Sequence, residues 1–253
     1  MNDLSGQVAL VTGASSGLGA HFARLLAKNG AAVGLAARRL ERIEALAAEI
    51  REAGGRAVAL ALDMAQPGTF AAAFDRIESE LGPINILVNN AGVSGEGHVL
   101  DLSVETWDQT FDVNVRGTFF AAQAAARRMI ASGVAEREQA RIINIASILS
   151  HTAMPGLTAY CASKAAVAMM TRGLAKDLAR HGVAVNAICP GYIETEINAE
   201  WFGSEGGRKQ ISRFPRRRLM DASDLDAALL MLAGPSGAKI TGSLLTVDDG
   251  QSM

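Results

Sequence analysis

The sequence predicts an α/β domain built on one open, doubly wound parallel sheet with helices on both faces. Short apolar runs alternate with longer amphipathic ones along the whole chain. The apolar runs lack polar alternation, which is the pattern of strands buried on both faces rather than one. Strand-length and helix-length runs follow one another at the spacing of βαβ units, whose right-handed crossovers close into such a sheet.

Each element follows from its own residues. Residues 8–12 (VALVT) read as a buried strand, and 18–29 as a helix that stops at Gly30. A second apolar run covers 32–36. Residues 40–53 carry charges on one face and Leu, Ile and Ala on the other, and end at Gly54-Gly55. Glycine just past the last periodic residue is a helix stop signal. Strands are predicted at 57–62 and 84–88, with a helix over 70–81 closed by Gly82-Pro83 between them. The second half repeats the rhythm: helix 104–131, strand 142–145, helix 158–180 ending near Gly182, strand 183–188, helix 223–232 and strand 244–247. Residues 194–220 break the pattern, being Gly-rich, Arg-rich and mixed in polarity, and read as a surface excursion or lid. With no linker, repeat or composition shift, residues 1–253 form one Rossmann-type domain.

Composition narrows the function classes. The chain has 253 residues, 49% hydrophobic and 20% charged, the balance of an ordinary globular protein. Its formal net charge of -2 argues against general nucleic-acid binding, which needs a basic excess. Cys161 and Cys189 are too few for a disulfide framework and lack zinc spacing, so no metal site is expected. No apolar run is long enough to span a membrane. Residues 1–7 show no secretory pattern, so the cytoplasm is the expected location.

Two clusters carry chemistry. Thr12-Gly13-Ala14-Ser15-Ser16-Gly17-Leu18-Gly19 joins the first strand to the first helix. Glycines there allow a sharp turn and close approach to a pyrophosphate, helix-start N–H groups point at the anion, and the hydroxyls of Ser15 and Ser16 add donors. A tight turn without ligand is the plainer alternative. Tyr160 and Lys164 lie four apart at the start of a helix and so share a face. A free tyrosine has a pKa of about 10, and a neighbouring ammonium lowers it, making a general acid/base near neutrality. Ser147 ends the fifth strand at the edge of the sheet where ligands bind. On spacing alone, surface positions for Tyr160 and Lys164 and a turn position for Ser147 are the better reading.

Taken in order, the motifs resemble the short-chain dehydrogenase/reductase family over nearly the whole chain, from about Leu4 onward. Thr12 to Gly19 is similar to its T-G-x-x-x-G-x-G turn. Asn89-Asn90-Ala91-Gly92 matches the motif after the fourth strand, and Asn114 the asparagine of its tetrad. Ser147 thirteen residues before Tyr160, the Tyr160-x-x-x-Lys164 signature, and Pro190-Gly191 followed by Ile193 and Thr195 complete the set. The resemblance implies an enzyme acting on CH–OH groups. Tyr160 would exchange a proton with the substrate oxygen. Lys164 would lower its pKa and bind the nicotinamide ribose. Ser147 would orient the carbonyl, and Asn114 would hold a water leading from Lys164 to solvent. It also implies a homo-oligomer, tetramer or dimer, for which the faces of 104–131 and 158–180 are the candidates.

The resemblance also bears on the cofactor. Ala37 stands where NAD-dependent members carry an acid, and Arg38 follows where NADP-dependent members place a base. A guanidinium suits a 2′-phosphate, so NADP(H) is preferred over NAD(H). Arg39 helps or simply faces solvent. Ser16 stands where some members carry a base, and Asp63 and Met64 are expected at the adenine.

The substrate is read only as a small ketone or secondary alcohol. His98, Leu149, His151, Met154, Tyr192, Trp201 and Phe202 are candidates for its pocket. Arg213 and Arg216–Arg218 read as surface ion pairs rather than an acidic-ligand site. A 3-oxoacyl reductase is the alternative within the class, weakened because Glu138 and His181 stand where such enzymes carry arginines. A non-catalytic NADP-binding sensor is the alternative of another class, disfavoured because Asn114, Ser147, Tyr160 and Lys164 are all present. A nucleotide-sugar epimerase would need a longer chain.

Overall fold

A computed structural model describes residues 3–196 and 198–253. Seven parallel strands form one sheet in the order β3-β2-β1-β4-β5-β6-β7. They are β1 (Val8–Thr12), β2 (Ala32–Ala37), β3 (Ala57–Ala61), β4 (Ile86–Asn89), β5 (Ala140–Ile145), β6 (Val183–Pro190) and β7 (Leu244–Val247). The helices are α1 (Gly17–Lys28), α2 (Leu40–Glu52), α3 (Phe70–Leu81), α4 (Val104–Phe111), α5 (Thr118–Ala131), α6 (Thr158–Leu178), α7 (Ala199–Gly203), α8 (Glu205–Ile211) and α9 (Asp226–Ala233).

The strands are mostly apolar because the sheet feeds two cores, with Thr12, Asn89, Arg141, Asn144 and Asn186 as buried polar exceptions. In β1, Ala9 and Val11 point to one side, where Phe22 and Leu26 of α1, Ile43 and Leu46 of α2 and Leu229 and Leu232 of α9 pack. Val8 and Leu10 point to the other, against Phe74 and Ile77 of α3, Ala122 and Ala125 of α5 and Leu174 of α6. Period-two alternation thus separates two buried faces, not core from water. The sheet is wound outward from β1 in one direction and from β4 in the other. Their carboxyl ends therefore flank a crevice, the place where open α/β sheets bind ligands.

Three differences from the sequence reading matter. The helix expected over 104–131 is interrupted: between α4 and α5 lies a π-helical stretch, Asp112–Gly117, that contains Asn114. Gly117 there approaches the carbonyl of Met64 so closely that a Cβ would stand 2.4 Å from the oxygen. The helix expected over 158–180 ends at Leu178 and closes through a 3-10 turn, Ala179–His181, with Gly182 at φ 75°. Residues 194–220 contain α7 and α8, and their ends are tied together by a bridge between Ile193 and Met220. Both cysteines are free thiols, and no described helix is long and apolar enough to cross a membrane.

Phe74 lies at the centre of the second core: it is fully buried, stacks on Phe70 and carries the Arg128 guanidinium over its ring at 5.5 Å. Phe74→Ala should lower the unfolding free energy by about 3–5 kcal/mol, as read from urea melts. A loss under about 1 kcal/mol would contradict this account of the core.

Candidate active and cofactor site

The crevice begins at the Thr12 hydroxyl. Its Oγ1 accepts the amides of Asn90 (3.0 Å) and Ala91 (3.1 Å) and donates to Val88 O (3.4 Å). The Asn90 side chain donates back to Thr12 O at 3.0 Å. The ends of β1 and β4 are latched by these bonds, and the glycine turn is pressed against the latch. A Cβ on Gly13 would stand 2.8 Å from Ala91 Cα, and one on Gly19 would stand 2.3 Å from Gly13 O. Gly13 (φ 68°) and Gly17 (φ 51°) also hold left-handed backbone that favours glycine. The turn is thus a tight glycine cradle that ends at the start of α1, where Leu18 packs on the first core. That shape fits a pyrophosphate.

Arg38 and Arg39 end β2 beside this turn. Arg38 is exposed and has no ion-pair partner among the described residues. Arg39 does not simply face solvent: it donates to Ser15 Oγ (3.1 and 2.9 Å) and Ser16 Oγ (2.6 Å). The Arg39 guanidinium and two hydroxyls therefore gather beside the end of β2, Arg38 follows directly on that strand, and no acid stands at position 37. Asp63 Oδ1 accepts the amide of Ala65, and Met64 is buried against Gly117.

Ser147 follows β5, while Tyr160 and Lys164 lie on the first turns of α6. A buried ladder anchors that helix: Asn89 donates to Asn144 Oδ1 at 3.0 Å, and Asn144 donates to Thr171 Oγ1 at 2.9 Å. Lys164 Nζ is buried and donates to Ile145 O at 2.7 Å. It lies 5.6 Å from the centre of the Tyr160 ring. A Cβ on Gly92 would stand 3.6 Å from Nζ, so this glycine leaves the space before the lysine open. Ser147 Oγ accepts the amide of Leu149 at 3.1 Å, and its hydroxyl is also hydrogen-bonded with Tyr160.

Asn114 is buried, and its amide is committed to the protein. Nδ2 donates to Val93 O and Ser163 Oγ, both at 2.9 Å, and Oδ1 accepts Val93 N at 2.9 Å. Both donor hydrogens are spent, so the side chain braces the turn after β4 against α6. Of its side-chain sites, only the remaining lone pair of Oδ1 is left for the water expected from the sequence.

The electrostatics differ from the sequence argument. Burial pushes the Tyr160 phenol up to about 12, with the Ser147 hydroxyl opposing. Burial lowers the Lys164 ammonium to about 8. The expectation was a phenol held low by its neighbour. Here desolvation is the larger effect, and Nζ is directed at a carbonyl rather than at the phenol oxygen. Tyr160 is consequently a protonated acid at neutral pH.

Pro190 ends β6 beside Val247. Gly191 meets the C-terminal turn so closely that a Cβ would stand 2.4 Å from Gln251 Oε1, the atom that accepts Tyr192 N. Ile193 is buried, and Thr195 reaches the glycine turn, with Cγ2 3.6 Å from a Cβ placed on Gly17. Asn198 holds Thr195 by accepting its amide at 2.7 Å. Thr12, Ser163, Asn198 and Gln251 are supporting residues that sequence reading did not single out. Of these only Thr12 carried a signal, as the first residue of the glycine motif.

The substrate-side candidates divide. Tyr192 stacks on Phe214 (5.2 Å between ring centres), meets buried Phe202 edge-on and donates to Met154 Sδ at 3.5 Å. Leu149 is buried near Ser147. His98 is instead an exposed surface residue, 3.8 Å from Asp101. Trp201 is half exposed and donates to Gln210, and His151 is exposed. Arg216 and Arg218 both pair with Asp249, as surface ion pairs.

This crevice occurs in a chain that belongs to the short-chain dehydrogenase family, whose model matches residues 7–206. Gluconate 5-dehydrogenase of Gluconobacter oxydans is 35% identical over 248 residues, covering 98% of this chain and 95% of the relative. 5-keto-D-gluconate 5-reductase of Escherichia coli K12 is 34% identical, covering 99% and 98%. Among solved structures, a gluconate 5-dehydrogenase from Burkholderia cenocepacia in complex with NADP and tartrate superposes with a TM-score of 0.92 at 36% identity, covering 99% and 96%. The chain is therefore an oxidoreductase of this family, acting on CH–OH groups.

The Lys164 shift has a consequence for stability. Because the folded pKa lies near 8 and the ordinary value is 10.5, the unfolded chain binds the extra proton between them. This contribution is complete above about pH 10.5 and is lost as pH falls through about 8. The difference in unfolding free energy between wild type and Lys164→Met should rise by on the order of 2 kcal/mol across that window. A pH-independent difference would show that Lys164 is not desolvated.

Proposed function

We propose that this chain is an NADP(H)-dependent oxidoreductase that interconverts a small ketone and its secondary alcohol, with a polyhydroxylated acid such as 5-keto-D-gluconate as the leading substrate class. One observation carries the reading: Ser147, Tyr160 and Lys164 surround one point at the carboxyl edge of the sheet, beside a glycine cradle. The curated relatives support the substrate class, and the NADP-bound neighbour supports the cofactor.

The residues fit a dinucleotide along the crevice. Gly13, Ser15, Ser16, Gly17, Leu18 and Gly19 would hold the pyrophosphate. Arg38 and Arg39 would hold the 2′-phosphate, and Asp63 and Met64 would border the adenine. Asn90, Ala91, Gly92, Lys164, Pro190, Gly191, Ile193 and Thr195 would hold the nicotinamide half. The bound nicotinamide supplies or accepts the hydride. The Ser147 hydroxyl, which hydrogen-bonds with Tyr160, would donate to the substrate oxygen and stabilise negative charge there. Tyr160, protonated at neutral pH, gives its proton to that oxygen in reduction and takes one back in oxidation. Lys164 carries positive charge below about pH 8 and favours the phenolate that forms. Asn114 keeps Val93 and α6 in register.

A homo-oligomer, dimer or tetramer, is supported by exposed Val104 and Trp107 on α4, Phe120 and Ile130 on α5 and Met169 on α6. The two free thiols support a cytoplasmic location.

Turnover of polyhydroxy ketones should be measured with NADPH and NADH. Tyr160→Phe should lower kcat for the best substrate by about 10²–10⁴-fold. Retained activity would remove the proton role, and no turnover of any polyhydroxy acid would remove the substrate class. Arg38→Asp should raise KM for NADPH at least about tenfold and KM for NADH much less, since a carboxylate repels only the 2′-phosphate. Equal effects on both cofactors would overturn the NADP(H) assignment.

A further inference from the structure

The two walls of the crevice are joined by a charged contact that the roles above leave unused. Arg39 and Arg42 stand on the β2 side, at the start of α2. Glu196 stands on the β6 side, one residue beyond Thr195. Its carboxylate accepts from Arg42 Nη1 with both oxygens, at 3.0 and 2.8 Å, and lies 3.6 Å from Arg39 Nη1. Arg39 at the same time donates to the Ser15 and Ser16 hydroxyls. One guanidinium is thus shared between the glycine turn and an acid from the far wall. Ser15 and Arg42 also line a common hollow of about 260 Å³ between α1 and α2, which puts Arg42 on the same side of the turn as the proposed phosphate pocket.

We infer that Glu196 competes with the 2′-phosphate of NADP(H) for Arg39 and Arg42, and so sets how strongly the chain discriminates NADP(H) from NAD(H). This rests on the reading that the adenosine end of the cofactor lies against the end of β2. A carboxylate and a phosphate are both acceptor-only anions suited to the guanidinium fork, and two like charges disfavour sharing it. A dinucleotide with a plain 2′-hydroxyl leaves the Glu196 pair in place. One with a 2′-phosphate draws on guanidinium groups already engaged by Glu196. The cost therefore falls on NADP(H) alone. All three side chains are about half exposed, which limits an ion pair of this kind to about a fivefold effect.

The test is fluorescence titration of NADPH and NADH into wild type, Glu196→Gln and Glu200→Gln. Glu200 is an exposed acid on α7 with no ion pair among the described residues, so its variant carries the same change in net charge. Glu196→Gln should tighten NADPH about three- to fivefold while NADH changes less than about twofold, and the difference should shrink in high salt. Unchanged NADH binding also reports that the variant is folded. A ratio of the two Kd values that stays put, moves toward NADH, or moves equally in Glu200→Gln overturns the competition. The reading beneath it fails separately. A wild type that prefers NADH, with the ratio still moving toward NADPH in Glu196→Gln, would discard the cofactor preference and keep the competition. A wild type that prefers NADPH, with an unmoved ratio, would do the reverse.

Discussion

Thr12 Oγ1 accepts two amides from the turn after β4 and donates to the last buried carbonyl of that strand but one, and every distance across the crevice is set from there. Parallel strands on either side of a switch point have nothing to hold their ends in step once the ladder stops. A hydroxyl that is both donor and acceptor can do it where water is excluded, and leaving two amides unpaired there costs several kcal/mol by order of magnitude. With β1 and β4 fixed, the glycine turn has only one place to lie, between Ala91 and the start of α1. The same latch fixes Gly92 and Val93, and through Val93 it positions Asn114 and the first turns of α6. Glycine cradle and proton-transfer group are therefore two ends of one rigid assembly.

Burial supplies the chemistry that geometry alone does not. Lys164 is held in the interior by a carbonyl of β5, and Tyr160 keeps part of its surface open to the crevice while its hydroxyl is desolvated. In water these groups would titrate close together, near 10 and 10.5. In the folded chain they move apart, the phenol upward and the ammonium downward. The phenol is thereby protonated at neutral pH, and any new negative charge beside it falls near a lysine whose own charge is easily biased. The buried Asn89–Asn144–Thr171 ladder ties α6 to β4 and β5 through side-chain hydrogen bonds in the interior.

The strands and most helices were legible because their signal is local: apolar runs that serve two cores, stopped by glycines with a positive φ at 30, 54 and 82. The glycine turn and the Ser147, Tyr160 and Lys164 group were legible as motifs, once their order along the chain was considered together. What stayed hidden depends on contacts distant in sequence. The π-helical stretch around Asn114 exists where Gly117 meets Met64, and nothing within 104–131 announces that meeting. Spacing places Tyr160 beside Lys164 but carries no information on burial, which is what pushes the phenol up. His98, a pocket candidate by sequence, is exposed and lies beside Asp101.

The arginines beside β2 show the same limit from the other direction. A sequence window containing Arg38, Arg39 and Arg42 carries three positive charges beside Glu41, and positive charge alone would favour any anion. Folding divides the three. Arg38 has no ion pair among the described residues, Arg39 is turned onto the serines of the glycine turn, and Arg42 is claimed by an acid 154 residues away. Selectivity for a phosphate then depends on the difference between what the guanidinium groups gain from it and what they must release. An attractive site with a resident competitor discriminates more sharply between two similar ligands than its charge count suggests, because only the ligand able to replace the competitor bears the cost of doing so. In this fold the competitor comes from the segment after β6, so the two ends of the crevice are coupled by charge as well as by the Thr12 latch.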